Sequence, residues 1–241
     1  VAMDILHQPE RVIIDYNGMW LVSNFEKMQL PKGWGVEQQI TCVDGSTFQM
    51  YMANMKSIFM DMIKNADMVI FNRCKKEDPL PTYRRGIKVA NQRAEVIFED
   101  EEGELGDIFQ DEMPFDMNAP VIEILPEDYG IWFVDAMDHP ENYEGKTVKF
   151  KARVMKPRGM GSKFFVPGRT AMTCCADDTT FLGYVCKSAY APKLTAGQWV
   201  EVTAKVGIEK RNEYQGEEGI VLDAEYVETC EPLADEMVYF N

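Results

Sequence analysis

Asn72 and Arg73 follow directly after a short apolar run, Met-Val-Ile-Phe, at residues 68–71. Such a run is typical of a strand that is buried on both faces. In α/β nucleotide-binding proteins the ligand lies at the carboxyl ends of the strands, so Asn72 stands where a base-reading side chain is expected. This placement raises the question of which segment would hold the phosphates of a nucleotide.

A second group of reactive side chains is the block Thr-Cys-Cys-Ala-Asp-Asp, which contains Cys174, Cys175 and Asp178. Successive side chains of a strand point to opposite faces, so the two adjacent cysteines are not expected to hold one ion together unless the chain turns there. If residues 177–182 form a hairpin loop, Cys175 and Cys186 would share a face diagonally, within about 7–8 Å, and Asp178 would reach in from the loop. Thiolates with a carboxylate suit zinc. The alternative is that the cysteines are small apolar core residues.

The composition limits the class of protein. The chain has 241 residues, a net charge of −15 and 46% hydrophobic residues, which suits one large domain or two of ordinary size. The acidic charge argues against a general nucleic-acid binder, because phosphate neutralisation needs a basic surface. We find no apolar run near the roughly 18 residues of a membrane span and no signal peptide. The scattered cysteines favour a reducing cytoplasm.

The N-terminal half alternates strand-like and helix-like segments, which predicts a parallel sheet with helices. The predicted strands are at residues 12–14, 40–44, 68–72 and 95–98, and the predicted helices are at about 47–65 and around Tyr83, Ile87 and Ala90. We place a domain boundary near residue 118, after a Pro-containing connector. The expected domains are an α/β domain at residues 1–118 and a second domain at 119–241.

The C-terminal half predicts an all-β domain after a short helix around Ile131 and Val134. Val148, Phe150, Ala152 and Val154 alternate with Lys149, Lys151 and Arg153, as in a half-buried strand. Further strands are expected at residues 164–175, 183–188, 199–206 and 220–227. Five strands at this spacing favour a small OB-like β-barrel, with two sandwiched sheets as the alternative.

The order of motifs in the first half resembles the second half of a CobW-type GTPase, over roughly residues 4–117. The resemblance rests on a strand closing in an acidic residue and Gly, a strand into VDGSTF, a long helix, and then ADMVIFNR and VANQRAEVIFED. It implies a metal-handling GTPase that uses GTP and magnesium. By this resemblance Asp15 orients the magnesium ion and its waters, and Gly18 donates its N–H to the terminal phosphate. Asn72 reads the purine, and Arg73 replaces the usual lysine.

Two features depart from the CobW pattern. Lys75 stands where the family has the aspartate that reads guanine, and a lysine offers no acceptor. The chain also contains no Gly-x-x-x-x-Gly-Lys-Ser/Thr, so the main phosphate-binding element is missing. Either such a loop lies upstream of Val1, or the domain is a degenerate scaffold. The remaining alternative is an ordinary α/β domain whose strand ends in Asn72.

The second half resembles the C-terminal domain of a YcgQ-like, permease-associated bacterial family, over about residues 127–240. The stretches that carry the resemblance are YEGKTVKFKARV, GRTAMTCCADDTTFLGYVC and GQWVEVTAKV. By this resemblance the chain corresponds to the last two-thirds of a GTPase fused to that domain. The recurrent positions of the family are matched by Arg169, Cys175, Asp178, Gly183 and Trp199-Val200.

A run of basic residues without an intervening acid precedes the Cys-Cys block. It could mark a nucleic-acid surface on an OB-like barrel, a docking surface for acidic protein, or a solvated face; the net charge makes nucleic acid unlikely. The members of this run are Lys146, Lys149, Lys151, Arg153, Lys156, Arg158 and Lys163.

Two functions are therefore expected from different classes. The leading hypothesis is a CobW-like GTP-binding protein for zinc or cobalt homeostasis, whose partner is a metal-dependent client protein or a permease component. Its cofactors would be GTP and Mg²⁺, if a phosphate loop lies upstream, and Zn²⁺ at Cys174, Cys175, Asp178 and Cys186. The alternative is a non-catalytic OB-type module that recognises a nucleic acid, a ligand or a permease partner.

Overall fold

The computed structural model describes residues 9–106, 113–173 and 179–238. The chain divides into two compact units, Val1–Phe109 and Gln110–Asn241. The first unit contains helices α1 to α4 and strands β1 to β3. These are α1 Val22–Glu26, β1 Ile40–Asp44, α2 Phe48–Asn54, α3 Lys56–Ile63, β2 Met68–Asn72, α4 Leu80–Ala90 and β3 Glu95–Phe98.

The second unit contains one helix and eight strands. They are β4 Ile122–Glu123, α5 Tyr129–Asp138, β5 Thr147–Met155, β6 Phe164–Met172, β7 Thr179–Gly183, β8 Val185–Lys187, β9 Trp199–Lys210, β10 Glu218–Thr229 and β11 Met237–Val238. Among the described residues, no helix combines the length and the apolar character that a membrane crossing needs.

The first unit is a three-stranded parallel sheet in the order β1-β2-β3. Because consecutive right-handed crossovers step across the sheet in one direction, they place their helices on one face. The ring of Phe48 on α2 meets Phe59 on α3, Phe71 on β2 and Tyr83 on α4, with centroids 4.5–5.1 Å apart. The aromatic core therefore lies between this face and the helices. The strands and helices predicted between residues 40 and 98 are confirmed, but the long helix is interrupted at Met55.

The strand predicted at residues 12–14 is wrong. Val12, Ile13 and Ile14 have no regular structure, and Ile13 is 91% exposed. Three β-branched residues favour extended backbone, but a strand also needs a neighbour to pair with, and this segment has none in the sheet. Local contacts hold it instead, including an ion pair of 3.4 Å between Arg11 and Glu37.

The second unit closes into a five-stranded mixed barrel. Starting from β5, the ring continues through β6, β8, β10 and β9 and returns to β5. All neighbours are antiparallel except β8 and β10, which are parallel. Closure is consistent with the OB-like barrel expected from the sequence and not with two separate sheets.

The barrel interior is filled by apolar side chains, as the alternating burial of β5 requires. Helix α5 adds Trp132, whose ring lies 4.8 Å from that of Phe150 and 5.6 Å from that of Tyr184. The hydroxyl of Tyr184 donates to the carbonyl of Phe133, which anchors the helix to the barrel. Side chains therefore fill the interior of the barrel.

The hairpin loop predicted at residues 177–182 is wrong for its second part, because β7 begins at Thr179 and pairs with β6 up to Gly183 opposite Gly168. These two glycines allow the strands to approach closely. A Cβ on Gly168 would lie 2.3 Å from the carbonyl oxygen of Leu182, so only glycine fits. The chain then continues into β8, which places Cys186 opposite Phe165.

Candidate functional site

Asp44 and Asn72 end two neighbouring parallel strands and lie opposite each other at the carboxyl edge of the first sheet. Arg73 follows in a left-handed conformation, with φ of 56°, which is uncommon for a residue with a side chain. Its guanidinium Nη1 lies 2.8 Å from Asp44 Oδ2. Asn72 and Arg73 therefore do sit at a strand end, as predicted, but the carboxylate beside them is Asp44.

The Asp44 carboxylate is committed to local partners. It accepts hydrogen bonds from the Ser46 hydroxyl at 2.6 Å and the Ser46 N–H at 3.0 Å. These bonds, the Ser46 hydroxyl first, lower the pKa of Asp44, and Arg73 adds to the effect. A carboxylate that caps a turn and pairs with arginine has little capacity left for a magnesium ion. Asp15 and Gly18 lie outside the sheet, in the segment before α1.

The predicted metal ligands are only partly within the described residues. Cys174, Cys175 and Asp178 lie outside them, so their role in a zinc site stays a prediction. Cys186 is fully buried, and burial raises the pKa of its thiol. Within residues 9–106, 113–173 and 179–238 no three His, Cys, Asp or Glu side chains are grouped to hold a metal ion.

Arg169 belongs to the barrel wall. It is 2% exposed, its Nη1 donates to the carbonyl of Pro126, and its guanidinium carbon lies 5.7 Å from the centre of the Tyr129 ring. Its Nη2 donates to the carbonyls of Asp235 and Met237 at 3.1 and 2.9 Å. Burial lowers its pKa, but an arginine remains charged at neutral pH. Arg169 therefore connects segments of the fold and does not face a ligand.

Two loops and two strands form a second surface, which we call the loop face. We define it as the loop at residues 156–163, Phe164, Lys187 and the hairpin loop at residues 211–217. Phe164 on β6 is opposite Lys187 on β8, and the guanidinium carbon of Arg211 lies 4.5 Å from the centre of the Phe164 ring. In OB-type barrels this region, between the first and last hairpin loops, is the one that binds ligands.

The basic side chains of the loop face differ in whether a carboxylate of the fold already binds them. Arg211 lies 3.1 Å from Glu213 and 3.5 Å from Glu209, and the hydrogen bond that it donates to Glu213 is the main cause of its raised pKa. Arg158 and Lys163 are exposed and have no carboxylate partner among the described residues; the same is true of Lys187. The face therefore presents three available cations.

Three other members of the predicted basic run have partners within the fold. Lys149 lies 3.0 Å from Glu201, whose hydrogen bond is the main cause of the raised pKa of Lys149. Arg153 donates to the carbonyl of Gly197 at 3.3 Å. Lys156 donates to the carbonyl of Ala191 at 2.7 Å, which fixes the start of the 156–163 loop. The basic run is visible in the sequence, but the sequence does not show which of its members have partners, because those partners come from distant parts of the chain.

Comparison with known proteins gives one family match. The family described as the DUF1980 C-terminal domain matches residues 104–240. No curated protein matches the chain. Two crystal structures of Rim1, a mitochondrial single-stranded DNA binding protein from S. cerevisiae, are 10% identical, cover 36% of this chain and 95% of their own, and have TM-scores of 0.22 and 0.23. Structural similarity at that level carries no argument about this chain. The family match covers the whole barrel and more than half of the sequence, so the chain belongs to the DUF1980 C-terminal domain family.

Proposed function

We propose that the barrel unit is a non-catalytic binding module whose loop face holds an acidic segment of a partner protein. The observation that carries the proposal is the set of three exposed cations, Arg158, Lys163 and Lys187, without carboxylate partners on a chain whose net charge is −15. All three belong to the loop face, where they can meet a ligand together. Their availability favours an anionic partner.

The charge distribution along the sequence supports the same choice. Between Lys146 and Val200 there are ten Lys and Arg residues, and only Asp177 and Asp178 are acidic. The three cations belong to this stretch. Complementary charge of this kind speeds association and selects partners more than it adds affinity. We therefore expect binding of moderate strength that weakens with salt.

A peptide fits the loop face better than a nucleic acid. Single-stranded nucleic acids bind through aromatic side chains on which bases stack, in a groove of positive charge. The Phe164 ring is already covered by Arg211, and the backbone of Gly161 lies so close that an added Cβ would be 3.4 Å from the ring.

The described residues do not form a catalytic group that would favour an enzyme. His139, the histidine within them, is exposed and lies 3.8 Å from Glu141 at the surface. The buried thiol of Cys186 has a raised pKa, which disfavours the reactive thiolate. The barrel interior consists mainly of apolar side chains. These features support a binding role.

Fluorescence anisotropy with a labelled peptide of glutamates tests the proposal. The double variant Lys163→Glu/Lys187→Glu should weaken binding by about tenfold or more, since each reversed surface charge contributes on the order of 1 kcal/mol. Lys32→Glu, which changes an exposed lysine of the first unit, is the control and should leave affinity unchanged.

A labelled single-stranded oligonucleotide of similar charge is the comparison ligand. Tighter binding of the oligonucleotide than of the peptide would show that the ligand class is wrong. Equal affinity of the double variant and the unchanged chain for the peptide would show that the loop face is not the site.

A further inference from the structure

The first unit exposes an unusual amount of apolar surface in one stretch. Between Val12 and Ile40, nine large apolar side chains are exposed, including Ile13 at 91%, Trp20 at 58% and Val36 at 61%. Soluble proteins expose single apolar side chains commonly, but contiguous patches mark interaction sites. We call these nine side chains the N-terminal patch.

Local contacts bring parts of the patch together. The ion pair between Arg11 and Glu37 brings the residues around Ile13 beside those around Val36. The Tyr16 ring meets Trp20 and Phe25 at 5.8 and 5.7 Å, which fixes the middle of the stretch. The patch ends at β1, whose described pairing is with β2 on one side only.

We propose that the N-terminal patch is the interface of a two-fold symmetric dimer of this chain. The nine side chains expose on the order of 900 Å² of surface, close to the roughly 800 Å² that each partner buries in a specific interface. The area is therefore in the range that a specific dimer interface needs.

The charge of the stretch indicates a second copy as the occupant. Residues 9–39 contain four acidic and three basic residues, so their net charge is −1, whereas the chain carries −15. In a two-fold interface a surface meets itself, and a strongly charged patch would repel its copy. The patch is therefore a surface on which two copies of this acidic protein can approach each other.

Sedimentation analysis of the whole chain tests the dimer. The expected result is a concentration-dependent species of twice the 27.6 kDa chain mass. Ile13→Asp should raise the dimer dissociation constant by at least about tenfold, because the dimer would bury the new charge. The side chain is 91% exposed, so the substitution leaves the fold of one chain intact.

Tyr226→Asp is the matched control, because Tyr226 is 69% exposed on β10 of the barrel and lies outside the patch. It should leave the dimer dissociation constant unchanged. A chain that stays monomeric at tens of micromolar would overturn the proposal and point to a different partner. An Ile13→Asp variant that dimerises normally, or an open series of larger species, would overturn it as well.

Discussion

Arg169 and Met237 are joined by a hydrogen bond of 2.9 Å from the guanidinium Nη2 to the backbone carbonyl. This bond holds β11, which pairs with β6 only at Met237 and Val238. The same guanidinium also donates to Pro126, beyond β4. Strands β5 and β6 pair with each other only over Arg153–Met155. The short strands β4 and β11 pair with the remaining parts of β5 and β6, and Arg169 links the segments next to these two short strands.

Replacing Arg169 by methionine should lower the free energy of unfolding by about 2–4 kcal/mol, because three backbone carbonyls lose the charged donor that this buried side chain supplies. Chemical denaturation measures the loss. Hydrogen exchange should also show that the amide of Val238 loses protection. Arg153→Met is the control, since Arg153 is exposed and makes one bond to Gly197. An equal loss in the control, or unchanged protection of Val238, would contradict the role of Arg169 as a link.

Buried tyrosines should make the barrel sensitive to alkali. Burial raises the pKa of Tyr129, Tyr143 and Tyr184, and for Tyr143 the hydrogen bond to Asp135 adds to the shift. Each folded pKa lies above the unfolded value near 10. The contribution to stability is therefore fully present below pH 10 and is lost as the pH rises above it, at about 1.4 kcal/mol per pH unit for each tyrosine.

Urea unfolding between pH 8 and pH 11 measures this dependence. The Tyr143→Phe variant should be less stable at pH 8 and should lose less stability above pH 10, because it has one ionising group fewer. A free energy of unfolding that does not change between pH 10 and pH 11 would contradict the burial of these hydroxyls.

Most strands of the barrel could be predicted from the sequence, because the alternation of apolar and polar residues is a local signal. Val148, Phe150, Ala152 and Val154 are buried on β5 as expected. A short apolar run becomes a strand only where a partner strand exists, and residues 12–14, which were predicted as a strand, have no partner in the sheet. The loop face could not be predicted, because Phe164, Lys187 and Arg211 come from three separate elements. They come close together only because the barrel closes, and no short sequence motif predicts that closure.

The chain should not bind GTP tightly. It contains no Gly-x-x-x-x-Gly-Lys-Ser/Thr, so backbone N–H groups and a lysine for the phosphates are lacking. Arg73, which would stack along the base, is held by Asp44 at 2.8 Å. Calorimetry with GTP and magnesium should show no heat of binding at micromolar concentrations. A micromolar dissociation constant would mean that Asn72 and Arg73 act in a site that the described residues do not form.

Zinc binding by the Cys-Cys block is a separate prediction. If Cys175 and Asp178 are ligands, Cys175→Ser should weaken zinc binding by about tenfold or more, and affinity should fall below neutral pH because the cysteine thiol must lose its proton to bind zinc. Cys186→Ser should instead lower stability, because Cys186 is a buried core residue.

Zinc titration of the reduced protein measures the affinity, and urea unfolding measures the stability, with Cys230→Ser as the control for both. Uptake of less than about a tenth of an equivalent, a rough threshold for a real site, would show that the block is structural. A loss of zinc in Cys186→Ser with unchanged stability would show that Cys186 is a ligand after all.

The central claim is that the loop face of the barrel binds an acidic peptide segment, and chemical-shift mapping tests it most directly. A ¹⁵N-labelled sample is titrated with unlabelled glutamate peptide at low ionic strength. We expect the largest amide shifts at Arg158, Lys163, Phe164 and Lys187, and we expect them to become smaller with added salt. Shifts concentrated on the outer faces of β9 and β10, or no shifts at any residue, would contradict it.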